Sequence, residues 1–149
     1  MSLVPSIFLL FLMFAASQAQ SVIVHITTSD AVDLARMIAS DEGYDIQNTE
    51  VYYFDSLKTR DGKPLLKGYT SVGFYIRGNI RSSISISETT GQAFDMNSCE
   101  VFDYPDLKPF QERIAHLSKT KRKTAQELAD DAGCSSPKVL TNPISLAGR

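Results

Sequence analysis

Tyr69-Thr70-Ser71-Val72-Gly73-Phe74-Tyr75-Ile76-Arg77, then Gly78-Asn79, then Ile80-Arg81-Ser82-Ser83-Ile84-Ser85-Ile86-Ser87 is the stretch that decides the fold. Apolar and polar residues alternate with period two through both halves, which is the pattern of β-strands with two distinct faces. Thr70, Val72, Phe74 and Ile76 share one face of the first strand. In the second, Ile80, Ile84 and Ile86 fall on one face and Arg81, Ser83, Ser85 and Ser87 on the other. Gly78-Asn79 reads as a tight two-residue connection. The expectation is an antiparallel hairpin whose serine face is wet.

Upstream, Val22-Ile23-Val24-His25-Ile26 reads as a first strand. Thr27-Thr28-Ser29 offers helix N-caps, and Asp30 and Asp33 suit a first turn. Ala31, Leu34, Ala35 and Ile38 then recur at helical spacing and Gly43 is a natural stop, so a helix is predicted over about residues 30–42. A Tyr- and Phe-rich strand is predicted from Glu50 to Leu57, followed by a turn from Thr59 to Pro64 centred on Asp61-Gly62. Downstream, Thr89-Thr90-Gly91 turns the chain and Gln92 to Met96 forms a short further strand. Tyr104-Pro105-Asp106 opens a helix that carries Phe110, Ile114 and Leu117 at helical spacing. Thr124-Ala125-Gln126-Glu127 matches a capping box and starts a short helix, Ala125 to Ala132, that stops at Gly133. The expected architecture is α+β: an N-terminal helix packed on an antiparallel sheet of four to five strands, with two short C-terminal helices.

The first residues set the expected compartment. Leu3 to Ala16 is apolar except for Pro5 and Ser6 and ends in Ser17-Gln18-Ala19. That apolar run is about 14 residues, against the roughly 20 a membrane-spanning helix needs. Small residues at alternate positions after it read as a cleavage site behind Ala19. Residues 1–19 are therefore expected to be a signal peptide, with a secreted or periplasmic product and no stable membrane anchor after cleavage. A buried N-terminal helix or an uncleaved signal anchor is the other reading. Residues 20–136 make one domain's worth of chain, and 137–149, with Pro137 and Pro143, read as an extended or disordered tail. The net charge of −2 lies wholly outside the leader and is too mild to imply nucleic acid or an anionic membrane as a partner.

Cys99 and Cys134 are the two cysteines. In an exported chain an isolated pair defaults to a disulfide. Two free thiols, or a metal pair completed by His25 or His116, are the alternatives. Neither histidine stands at a ligand spacing from a cysteine, so no metal is expected.

Ala31-Val32-Asp33-Leu34-Ala35-Arg36-Met37-Ile38-Ala39 followed by Gly43-Tyr44, the strand Tyr69 to Ile76, and Ile84-Ser85-Ile86-Ser87-Glu88-Thr89-Thr90-Gly91-Gln92-Ala93 form a recurring order of pieces. In that order, residues 31 to about 96 resemble the PepSY domain, a small extracytoplasmic module. The chain departs from that family in carrying Ser87-Glu88 where the motif has Asp before its turn, in a longer insert from Leu57 to Gly68, and in its two terminal helices. The resemblance implies a binding or inhibitory role and supplies no catalytic residues. The chain lacks the Gln-x-Val-x-Gly loop of cystatin inhibitors.

Other motifs point to bland roles. Thr124 to Ser135 looks like the first half of a DNA-binding helix-turn-helix, with Lys119, Lys121, Arg122 and Lys123 upstream. Pro143 leaves too little chain for a recognition helix, so no nucleic-acid partner is expected. The basic cluster reads as a solvated linker, or as a contact for an acidic partner. Asp41-Glu42, Asp95, Glu100 and Asp103 are available carboxylates, but their positions in the chain place no two in a shared cleft. His25 and His116 lack a local nucleophile signature, and there is no Walker motif, dinucleotide fingerprint or HExxH, so no cofactor is implied. Tyr52-Tyr53-Phe54, with Tyr69, Phe74 and Tyr75, is an aromatic constellation that either packs on both faces or forms an exposed strip.

The expected function is a non-enzymatic, PepSY-like binding module that modulates an exported protease or another protein partner. Tyr53, Tyr69 and Tyr75 are its candidate binding residues, on the sheet face opposite the N-terminal helix. The alternatives are an inhibitor or immunity protein for an exported enzyme, a small hydrolase with an assembled site, and a structural part of an envelope assembly.

Overall fold

The computed structural model describes residues 26–47, 51–55, 59–76 and 79–142. The expected signal peptide, His25 with most of the first predicted strand, and the end of the tail lie outside the described residues. Ile26 is described and is not in a strand. Its N–H donates to the Glu88 carbonyl at 3.0 Å and its side chain is buried.

Helix α1, Thr28–Asp41, starts where its cap dictates. The Thr27 hydroxyl accepts from the Asp30 N–H at 3.1 Å, and the Asp30 carboxylate accepts from the Thr27 N–H at 3.3 Å. This reciprocal box satisfies two otherwise orphaned donors. One stripe, Ala31, Leu34, Ala35, Ile38 and Ala39, is buried. The helix stops as Gly43 takes the left-handed conformation at φ 82° and the Tyr44 N–H reaches back to the Ala39 carbonyl at 2.9 Å.

Among the described residues six strands follow, β1 (Val51–Asp55), β2 (Tyr69–Ile76), β3 (Asn79–Ser87), β4 (Ala93–Asp95), β5 (Glu100–Phe102) and β6 (Lys138–Leu140), in one sheet ordered as in the chain. All neighbours are antiparallel except β5 and β6, which run parallel. The sheet is therefore mixed, with six strands rather than four to five antiparallel ones. The start of the expected tail is its last strand. Ile76 pairs with Asn79, so Asn79 belongs to β3 and not to the connection. A register shift between Phe74 and Tyr75 sets Ser82 opposite Phe74 and Ile80 opposite Tyr75. Such a bulge resets the period-two reading beyond it.

One face of the sheet carries Val72, Phe74, Ile84, Ile86, Ala93 and Phe102 under α1, with Tyr104 and Leu107 beside them. The other face is not wet as expected: Ser71, Ser83, Ser85 and Ser87 are all buried. Two features cover it. Gly73 has no side chain, and the Phe54 ring lies in the space so left, where a Cβ would stand 2.3 Å from the ring's Cζ. Helix α3, Ala125–Asp131, brings Leu128 against Tyr69, Phe94 and Val101. Serines tolerate this cover because their hydroxyls find partners. Ser71 and Ser85 share a hydrogen bond at 3.1 Å, and the Ser87 hydroxyl accepts from the Thr90 N–H at 3.3 Å.

Helix α2, Lys108–Ser118, has Pro109 in its first turn and ends as Lys119 turns left-handed. It buries Gln111, Ile114 and Ala115, while Leu117, expected on the apolar stripe, is 48% exposed. The crossover from β5 to β6 thus carries α2 past the β3–β4 turn, where Ser118 donates to the Thr89 carbonyl, and then α3 across the second face.

Cys99 and Cys134 form the expected disulfide, with their Cα atoms 5.9 Å apart. It closes the crossover at its base, just before β5 and just before β6. The Lys138 N–H donates to the Cys99 carbonyl at 2.9 Å, and the Lys138 ammonium meets Glu100 at 2.6 Å. In the chain-entropy model a loop of 35 residues gains about 4 kcal/mol from closure. A Cys99→Ser/Cys134→Ser variant is expected to lose about 2–4 kcal/mol in a chemical denaturation series. An unchanged midpoint would show that β6 and α3 hold their places unaided.

Candidate functional site

The three candidate tyrosines do not share a surface. Tyr53 pairs with Phe74 in the sheet and packs on the α1 side, under the Arg36 guanidinium at 5.1 Å. This corrects its expected place opposite α1: strand β1 enters the sheet with Tyr53, not Phe54, in phase with Val72 and Phe74. Burial raises the Tyr53 hydroxyl pKa against the lowering pull of Arg36. Tyr69 does lie on the opposite face, but under α3 and only 4% exposed. Its hydroxyl donates to Asp131 and accepts from the Lys123 ammonium at 3.2 Å, and burial together with Asp131 raises its pKa. Tyr75 is the half-buried member, stacked on Phe54 with ring centroids 4.8 Å apart. Tyr69 is thus a core residue and Tyr75 a partly open one. Tyr69→Ala is expected to cost about 3–5 kcal/mol, as buried ring truncations do, and Tyr75→Ala much less. Thermal unfolding of the two variants checks the ranking, and a larger loss for Tyr75 would contradict it.

The carboxylates are brought together more than their spacing suggested. Glu42, Asp95 and Glu100 line one pocket of about 190 Å³ beyond the end of α1, floored by Phe74 and Phe102. Each is already engaged. Glu42 accepts from the Tyr104 hydroxyl. Asp95 accepts from Ser82 at 2.8 Å and from the Asn97 N–H at 2.7 Å. Glu100 accepts from Ser98 at 2.9 Å besides Lys138, whose ammonium holds its pKa down. Of the other two candidates, Asp103 lies in a different cavity.

Asp41, at the end of α1, has Asp106 and Glu42 as acidic neighbours, and its buried Oδ2 has no hydrogen-bond partner among the described residues. Desolvation first, then the Asp106 charge and a hydrogen bond to it, and then Glu42, raise the Asp41 pKa from 3.8 to about 6. The folded chain holds this proton up to about pH 6, whereas an unfolded aspartate releases it near 3.8. The folded state binds the extra proton in that window, so stability is greatest below it, falls as pH rises through it and is level above it. Asp41→Asn is expected to flatten this slope and to raise the melting temperature at pH 7. An unaltered pH profile would contradict the pairing.

The larger cavity, about 530 Å³, opens between α2, the link at residues 119–123, α3 and the β5–β6 edge. Val101, Ala125 and Val139 supply apolar wall, and Lys108, Arg122 and Asp103 supply charge. Gln111, fully buried behind it on α2, accepts from Arg122 at 2.7 Å. Gln92 clamps the link from below: its amide donates to the Lys123 carbonyl at 2.8 Å and accepts from the Lys123 N–H at 2.7 Å. Sequence reading noted Arg122 and Lys123 only as a basic cluster and passed over Gln111. The signal was present in the spacing Leu107, Gln111, Ile114, Ser118, a helical stripe with polar residues at two of its four positions.

Other expected sites are quickly placed. Both cysteines are in the disulfide, His116 is exposed on α2, and His25 is outside the described residues. Among the described residues no group of three or more His, Cys, Asp or Glu stands close enough to hold a metal ion, and no helix is long and apolar enough to cross a membrane.

No family model and no curated relative matches this chain. Its fold is similar to that of a chain in the structure of a type VI secretion system effector-immunity complex from Pseudomonas protegens. The TM-score is 0.62 and the identity 23%, over 75% of this chain and 92% of that one. At that identity the likeness is one of fold.

Proposed function

We propose that this chain is a protein-binding domain of the immunity kind, which recognises one exported enzyme and blocks it. The observation that carries this reading is the likeness of fold to a chain of an effector-immunity complex, which extends over 92% of that chain. This is the inhibitor or immunity alternative of the sequence reading, preferred here to a PepSY-like modulator of a protease. Within such a pair, the blocking role is favoured by what the polar groups already do. The thiols are joined, and the carboxylates of the acidic pocket are spent on Tyr104, Ser82, Ser98 and Lys138. An acidic pocket and a neighbouring cavity lined by Lys108, Arg122 and Lys123 also suit a protein whose task is oriented docking, since complementary charge steers partners and rejects wrong ones. A leader at residues 1–19 and the disulfide fit a role in the periplasm or outside the cell.

The test is capture followed by neutralisation. Full-length chain is used to capture a partner from the extracytoplasmic fraction of its natural host, and that partner is then expressed with and without the chain. The expected result is a stable one-to-one complex and loss of the partner's toxicity or enzymatic activity in it. A partner that stays fully active in the complex would contradict the reading. A captured protease whose activity rises would favour the modulator instead.

A further inference from the structure

We propose that the cavity between α2, the 119–123 link and the β5–β6 edge receives an acidic, extended segment of the protein partner; the proposal rests on the protein-binding role above and names the surface and its chemistry. Two features meet there, and another lies buried directly behind its wall. The first is unsaturated charge. Asp103 alone answers two cations, Arg122 at 3.3 Å and Lys108 at 3.8 Å. Saturated pairs of this kind close to about 2.7–2.9 Å. Lys138 and Glu100, at 2.6 Å, show that the same fold makes such pairs elsewhere. In the link itself Lys119 and Lys121 are exposed and form no ion pair among the described residues. Glu112 on the wall and Asp131, which holds Lys123, offset part of this charge, and the positive excess remains.

The second feature is an orphaned donor. Gln111 is fully buried, and Arg122 occupies its carbonyl oxygen, which fixes the amide's orientation. Its Nε2 is then left without an acceptor among the described residues. Buried donors are rarely left so; this one is sealed behind the cavity wall, and an occupant that draws on Arg122 is felt at the Gln111 amide through their shared hydrogen bond. The third feature is the edge of β6, which no strand among the described residues pairs on its far side. Lys138 and Leu140 bond to the β5 side through Cys99 and Asp103, at 2.9 and 2.8 Å. In a parallel pair alternate residues bond, so the Val139 N–H and C=O face away from β5. The Val139 side chain lines the cavity and is 44% exposed. A free anion would use the charge alone. An extended peptide would pair with this edge, rest on the apolar wall and place a carboxylate between Lys108 and Arg122.

The experiment is an NMR titration of the isotopically labelled full chain at low salt, with a short poly-glutamate peptide as probe and poly-lysine and inorganic phosphate as comparisons. Poly-glutamate is expected to shift the Gln111 side-chain amide and the Val139 N–H saturably. A Lys119→Glu/Lys121→Glu variant, altered only at exposed positions, should bind on the order of tenfold more weakly, and salt should weaken both. Shifts that miss Gln111 and Val139, or equal binding by the variant, would overturn the proposal. An equal response to phosphate would overturn it too, by showing a small-anion site. A chain that binds the peptide here yet neutralises no enzyme would sink the immunity reading and leave this surface standing. A neutralising chain that ignores the peptide would do the reverse.

Discussion

The disulfide between Cys99 and Cys134 is the constraint on which the rest of the molecule leans. It joins the two ends of a long crossover that leaves the sheet after β5 and returns to it as β6. A three-residue parallel strand is a weak element, since parallel pairing needs a long connection whose closure costs entropy. Tying the base of the crossover lowers the entropy of the unfolded chain, so less is lost when the strands pair. With the base fixed, α3 falls on the serine face of the sheet, the 119–123 link is clamped by Gln92, and a cavity remains between link and sheet edge. The staple therefore shapes the candidate docking surface as well as the core.

Legibility followed the range of the interactions. Helix α1 can be read from residues 27–43 because its cap, its buried stripe and its glycine stop are all local. The β2–β3 hairpin is legible for the same reason, up to the bulge at Phe74 and Tyr75. What was not legible depended on distant chain. The serine face reads as wet because serine is polar, and only α3 and the Phe54 ring over Gly73 make it dry. Strand β6 has three residues, too few to carry a period, and is held by its bonds to Cys99 and Asp103. The candidate tyrosines separate because Tyr53 and Tyr69 stand on opposite faces. Gln111 hides because a hydropathy scale discounts a polar residue on a buried stripe.

Charge is distributed with the same logic. The chain is nearly neutral overall, yet Asp41, Glu42, Asp95, Glu100 and Asp106 gather around the C-terminal end of α1, while Lys119, Lys121, Arg122 and Lys108 gather around the crossover, where Asp103, Glu112 and Asp131 offset only part of their charge. At the acidic end burial, reinforced by the neighbouring carboxylates, keeps a proton on Asp41 to about pH 6. At the basic end the cations share one internal carboxylate loosely. On the proposed reading the first end is spent on internal bonds and the second is left open for a partner.

Hydrogen exchange of the full chain, measured residue by residue before and after reduction, tests the central role of the bridge most directly. The account predicts that reduction speeds exchange in α3, β6 and the 119–123 link, while α1 and the β2–β3 hairpin keep their protection. Uniform loss of protection across the chain, or no change in α3 and β6, would contradict it.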